Sequence, residues 1–269
     1  MTTHLVTFSD ESMNRSRSLC VDSAIAHGVD GITWAYAATE ADKAAGRGLG
    51  YWAWKPRIIL DFLTDATGGL VHPEDGDILI YADAGVEFIA DVNEIITRMD
   101  QPLFLFGNNW EHAHWCKRDV VDEIWDYPID LPPPGFANFC PPMEPNDWKR
   151  GWDLFGKQVQ ASVILLRVSD FTRAFVKEWL DWCLFEGGRL IDDSPSRAPN
   201  HPEFREHRHD QAILTTMAYR EGIKLHWWPA VYNRGGSPEF VYEKLPEYAN
   251  DNYPVLFSHH RKRDHEWTE

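Results

Sequence analysis

The stretch Gly76-Asp77-Ile78-Leu79-Ile80-Tyr81-Ala82-Asp83-Ala84-Gly85 constrains this chain more than any other. An apolar run that closes on an acidic residue and then a glycine reads as a buried strand delivering a carboxylate to its carboxyl end. In open α/β sheets the loops leaving the strand tips surround a crevice, and ligands bind there. The run therefore predicts an α/β fold with Asp83 at a binding crevice.

The flanking sequence alternates strand and helix signals. A strand is predicted at 4–8, and Ser9 and Asp10 offer N-caps to a helix ending near Gly28. A second strand at 31–36 precedes an Ala-rich helix at 39–45 and a turn punctuated by Gly46, Gly48 and Gly50. Helical spacing of Ile58, Ile59, Phe62 and Leu63 places a helix over 51–65. A strand at 77–81, a helix at 92–99 and a strand at 102–106 follow. Such alternation implies βαβ units and a mostly parallel sheet. Between 127 and 145 seven prolines exclude regular helix or interior strand, which predicts a long functional loop carrying Phe136 and Phe139, with Trp148 and Trp152 just beyond. A strand at 161–166 leads to a helix at 169–185 with Phe171, Phe175, Trp179 and Trp182 on one face. After an irregular segment at 187–206 come a helix at 210–222 and strands at 223–228 and 255–259. Without internal repeats or low-complexity segments, one continuous domain over 1–269 is the expectation.

Bulk properties narrow the function. With 269 residues, 43% of them hydrophobic, the chain can bury a large core. The net charge of −16 opposes a surface built to embrace phosphate backbones, so nucleic acid is an unexpected partner. The one dense basic cluster, Arg261-Lys262-Arg263 beside His259 and His260, reads equally as a solvated tail. Cys20, Cys116, Cys140 and Cys183 are too scattered for a zinc site or a disulfide scaffold. No secretory leader and no run of ~20 apolar residues is visible, so a cytoplasmic protein without a membrane span is expected. The dinucleotide glycine fingerprint, the phosphate-binding P-loop and the nucleophile elbow are all missing.

Four local patterns together resemble a family of bacterial and viral GT-A-like glycosyltransferases: Gly50-Tyr51-Trp52-Ala53-Trp54-Lys55-Pro56, Tyr81-Ala82-Asp83-Ala84-Gly85, Cys116-Lys117-Arg118-Asp119, and His207-Arg208-His209-Asp210-Gln211-Ala212-Ile213-Leu214. The resemblance implies a Rossmann-like GT-A domain with a mixed, mainly parallel central sheet. It also implies transfer of a sugar, hexosyl-like, from a nucleotide-diphosphate donor to a hydroxyl acceptor such as a glycan. The family's motif is Asp-x-Asp, which holds a divalent metal and ribose; here Gly85 stands at the second Asp. A Mn²⁺ or Mg²⁺ cofactor is nevertheless implied, with Asp83 and His259 as ligands and Glu87 as a substitute carboxylate.

The residue chemistry suits these roles. Trp52 and Trp54, with Tyr51, offer flat surfaces for a base or sugar ring, and Lys55 offers a compact charge for a phosphate. They also read as core residues and a snorkelling lysine at a helix start. Asp210 is the candidate general base or donor-sugar contact, and equally a helix cap. Tyr81, Arg208, His209 and Gln211 complete the expected donor- and substrate-binding set, whereas Lys117, Arg118 and Asp119 read either as acceptor or phosphate contacts or as a salt-bridged helix start. Two other functions stay open: glycosylation of a modified DNA base, as in phage enzymes, and a non-catalytic glycan- or nucleotide-binding protein of the same fold.

Overall fold

The computed structural model describes residues 1–30, 32–65, 73–125, 155–233 and 239–267, with side chains left undescribed at 32–34. The Pro-rich segment with Phe136, Phe139, Cys140, Trp148 and Trp152, and Gly31 of the second strand, lie outside the described residues. The chain is an α/β protein built on a six-stranded mixed sheet of order β2-β1-β3-β6-β5-β7. These strands are β1 (Thr3–Ser9), β2 (Ile32–Ala37), β3 (Ile78–Ala82), β5 (Leu103–Glu111), β6 (Lys157–Arg167) and β7 (Leu225–Trp227). Neighbours pair in parallel except around β6, which runs antiparallel to both β3 and β5. The amino end of β6 therefore lies beside the carboxyl ends of the others.

Both sheet faces are covered, which is why the central strands read as continuous apolar runs. Val6, Leu79, Tyr81, Leu105, Ile164 and Leu166 point into one core. That core is closed by α3 (Trp54–Leu63), α6 (Asp170–Leu184) and α7 (His209–Arg220). Leu5, Ile78, Ile80, Phe104, Val163 and Leu165 alternate to the other face, against α1 (Asn14–Ala26). Ser169 starts α6 in a capping box with Thr172, satisfying amides that the first turn leaves unpaired. Of the predicted aromatic face of α6, Phe175 and Trp179 are buried and Trp182 is partly buried against the core, whereas Phe171, in the first turn, is exposed.

A second, four-stranded sheet of order β4-β10-β8-β9 comprises β4 (Val86–Phe88), β8 (Ala230–Tyr232), β9 (Phe240–Val241) and β10 (Phe257–His259). It begins directly beyond β3, through a turn in which the Val86 amide donates to the Asp83 carbonyl. The helices α2 (Glu40–Ala44), α4 (Asn93–Ile96) and α5 (Arg118–Ile124) are short connectors, and no helix among the described residues is long and apolar enough to cross a membrane.

The helix expected over 51–65 begins only at Trp54, because every residue from Gly48 to Trp52 has positive φ (58, 56, 88, 53 and 66°). This is a left-handed turn, tolerable at Gly48 and Gly50 and costly at Leu49, Tyr51 and Trp52. The strand expected to end at 106 continues to Glu111.

Candidate active site

At the strand tips of β3, β5 and β6 lies a cavity of about 460 Å³. Its floor is an ion-pair bridge. Lys55, in the first turn of α3, is 4% exposed, and its ammonium lies 3.4 Å from Asp83 Oδ1 and 3.3 Å from Asp210 Oδ2. It also donates to the Ala161 carbonyl at 2.9 Å. The contact to Asp210 has ion-pair distance without hydrogen-bond geometry, leaving Asp210 Oδ2 without a hydrogen-bond partner among the described residues.

Each member has a structural reason to be there. Asp83 follows the last residue of β3, and its amide donates to the Ser162 carbonyl on β6. Tyr81, two residues earlier and fully buried, donates its hydroxyl to Asp83 Oδ1 at 2.5 Å. Asp210 enters α7 in its first turn, anchored by the Trp179 indole donating to its carbonyl. The irregular segment before α7 is pinned by Lys117, buried and donating to the Arg189 carbonyl and Asp192, and by Asp119, which accepts from Arg189.

Electrostatics divides the two carboxyls. Burial alone would lower the Lys55 pKa, but Asp210 and Asp83 outweigh it and hold the ammonium protonated. Burial would raise Asp83, yet Lys55, the Tyr81 hydroxyl, Arg261 and His259 together hold it below the usual carboxylate range. Asp210 is pushed up to about 6 by burial, with Lys55 only partly offsetting this and the charge of Asp83 adding to it. Paired carboxyls separated in this way suit one permanent anion and one proton acceptor.

The walls mix basic and aromatic side chains. Arg47, Arg208 and Arg261 line the cavity. The Arg208 guanidinium sits over Trp110 and Trp115, 4.8 and 4.5 Å from their ring centroids. His209 donates Nδ1–H to the Ile191 carbonyl at 2.7 Å, and burial lowers its pKa; its neutral Nε2 is buried, 3.8 Å from Asp193 Oδ1 and without a hydrogen-bond partner among the described residues. Trp52 stacks on that imidazole at 5.2 Å. Tyr232 and Phe240 of the second sheet, stacked at 5.1 Å, and Tyr242 just after β9 also line the cavity.

Gly85 is explained by the chain itself. A Cβ there would lie 2.6 Å from Arg261 Cα, and the Gly85 carbonyl accepts from the amides of both His260 and Arg261. The close approach that the glycine permits is that of the segment after β10. A second motif carboxylate has no room. Glu87 does not replace it, because the turn after Asp83 breaks strand alternation and Glu87 pairs with Ser258, outside the cavity lining.

The donor set therefore does not fit the expected divalent ion. No three His, Cys, Asp or Glu side chains gather as a metal site among the described residues. Asp83 is already engaged by an ammonium and a hydroxyl, and guanidinium groups share the cavity. His259, the other expected ligand, does line the cavity, with Nε2 3.4 Å from the Ser162 hydroxyl and burial, then Arg261, lowering its pKa to about 3.

Of the residues expected from sequence, Trp52, Lys55, Asp83, Arg208, His209, Asp210, Gln211 and His259 converge on this one cavity. Tyr81 does not reach it: it lies in the core beneath, where it orients Asp83. Trp54 is core as well, stacked on Phe8 at 3.9 Å. Lys55 does not snorkel; its donors are turned inward to Ala161 and the two carboxylates. Gln211 donates to Gln158 at 2.6 Å, tying α7 to β6. Sequence reasoning missed Asn108, Asn109 and Trp110, although they follow the apolar run of β5 as Asp83 follows that of β3. Gln160 and Ser162 enter because β6 runs antiparallel. Tyr232, Phe240 and Tyr242 carried no sequence signal.

No family model matches the chain, and no curated protein matches it. Among solved structures it is similar to the galactosyltransferase LgtC in complex with donor and acceptor sugar analogues, at 14% identity over 96% of this chain and 87% of that one, with a TM-score of 0.46. It is also similar to the apo bifunctional glycosyltransferase WbbM, at 11% identity over 97% of this chain and 46% of that one, with a TM-score of 0.49.

Proposed function

We propose that the chain is a glycosyltransferase that moves a sugar from a nucleotide-diphosphate donor to a hydroxyl acceptor, a carbohydrate being the acceptor best matched by the aromatic wall. The observation that carries this reading is the Asp83–Lys55–Asp210 bridge at the floor of a strand-tip cavity with basic and aromatic walls. The whole chain acts as one such domain in this reading. The donor sugar lies over the bridge, where Asp83 and the neutral His209 Nε2 accept from its hydroxyls. As the acceptor oxygen bonds to the anomeric carbon, the bond from that carbon to the diphosphate oxygen breaks and its electron pair leaves with the diphosphate. The acceptor proton passes to Asp210, whose carboxyl near pKa 6 is ionised at neutral pH yet basic enough to take it. Tyr81 acts only through Asp83, as a positioning residue.

The test is a panel of nucleotide-diphosphate sugars assayed for hydrolysis and for transfer to glycans. One donor is expected to turn over, and Asp210→Asn should cut kcat by roughly 10²–10⁴ while donor binding persists. Undiminished turnover in Asp210→Asn would remove the proton-acceptor role. Failure of every donor to turn over would overturn the reading itself.

A further inference from the structure

Three guanidinium groups converge on a cavity whose two floor carboxylates share one ammonium. Asp83 and Asp210 share Lys55, so the bridge carries one surplus negative charge, against which stand Arg47, Arg208 and Arg261. Arg261 makes no ion pair among the described residues. It stands at the cavity because the backbone of 260–261 is clamped on Gly85, and it holds a left-handed conformation with φ of 52°. Arg208 is cradled by Trp110 and Trp115 and pairs through Nη2 with the half-exposed Glu206 at 2.7 Å, while its buried Nε lacks a hydrogen-bond partner among the described residues. Arg47 pairs with Asp193 at 2.7 Å, but both are about half exposed, so that pairing is weak and readily exchanged. The groups feel one another: after burial, the charges of Arg261 and Arg47 depress the Arg208 pKa, Glu206 alone opposing them.

Three guanidinium groups gathered around an open cavity, two of them paired only with half-exposed carboxylates that exchange readily, make a receptive site for an anion. Planar guanidinium forks match phosphate oxygens bidentately, and an arginine packed on indole faces is pre-oriented for such contact. A dication would meet repulsion from the same groups, with the second carboxylate site sterically filled at Gly85. We infer that the cavity holds a diphosphate through Arg47, Arg208 and Arg261, which take the place that a divalent metal occupies in Asp-x-Asp enzymes. The inference rests on the glycosyltransferase reading for the identity of its ligand. The arginines then neutralise the charge that develops on the departing diphosphate.

The experiment uses inorganic pyrophosphate as probe, with binding to the intact chain followed by calorimetry in chelator and again with Mn²⁺. Binding in chelator is expected, within about two-fold of that with Mn²⁺, and Arg261→Gln should weaken it roughly ten- to hundred-fold. Arg208→Lys, which keeps the charge and the packing stem but loses the fork, should weaken it less. Binding that appears only with Mn²⁺, or that both variants leave unchanged, would overturn the inference. Sugar transfer that requires Mn²⁺ would likewise overturn it and leave the glycosyltransferase reading standing. Metal-free, Arg261-dependent pyrophosphate binding without turnover of any donor would support it while overturning that reading.

Discussion

Lys55 decides the chemistry of this molecule at the scale of single residues. A buried ammonium is costly, and here it persists because two carboxylates and a carbonyl receive it. Lys55→Met strips the partner from both carboxylates at once. It should destabilise the fold by about 3–5 kcal/mol, read from urea unfolding at neutral pH. The same substitution removes the charge that lowers Asp210, so the Asp210 pKa should climb above its present value of about 6. A proton acceptor works only when ionised. In the wild type, kcat/KM should fall as pH drops through about 6, and in any active Lys55 variant this limb should move to higher pH. A limb that stays in place would disconnect Lys55 from Asp210.

Among elements, the turn between β3 and β4 links the two sheets, and its tightness depends on Gly85. Restoring the motif carboxylate by Gly85→Asp would drive a Cβ to 2.6 Å from Arg261 Cα, where backbone and not a flexible side-chain end must move. We expect a loss of about 1–3 kcal/mol, with Gly85→Ala nearly as damaging because the clash is at Cβ. An Asp variant as stable as the wild type would show that the 260–261 segment is free to shift. The left-handed turn from Gly48 to Trp52 is the second such device. It aims Trp52 at the cavity while sending Trp54, two residues on, into the core, a division that their shared residue type conceals.

Across the whole molecule, buried carboxylates outside the site obey the same electrostatics as those within it. Asp77 accepts from the Thr2 and Glu74 amides and from His4, and Asp251 from the Trp227 amide and His226. Burial would raise both pKa values, but these donors hold them below the usual range, as Lys55 does for Asp83. A carboxyl with a depressed folded pKa contributes stability that is complete above its unfolded pKa and is lost as pH falls through the folded one. Asp210, raised, contributes in the opposite sense. The sum predicts a steep acid loss below the ordinary carboxylate range. Asp77→Asn should be less stable at neutral pH and flatter in acid, measured by urea midpoints across a pH series. Parallel curves for variant and wild type would refute the assignment.

The amino-acid order by itself determined the α/β alternation, the burial of the strand that ends at Asp83, and the strand-tip position of Asp83. These follow from local periodicity and from a run of apolar residues ending in a charge, and each is written within a few neighbouring positions. It also brought Trp52, Asp210 and His259 forward as candidates, through residue types that suit binding chemistry and through the resemblance carried by the motifs around them. Only the tertiary structure decided that Lys55 faces two carboxylates, that Tyr81 serves Asp83 from below, and that Arg261 belongs to the cavity. It alone gave a reason for Gly85, whose missing side chain is filled by backbone from the far end of the sequence. Charges and steric contacts act through space, and the segments that carry them meet here only because β6 runs against its neighbours and the second sheet folds back over the tip of β3.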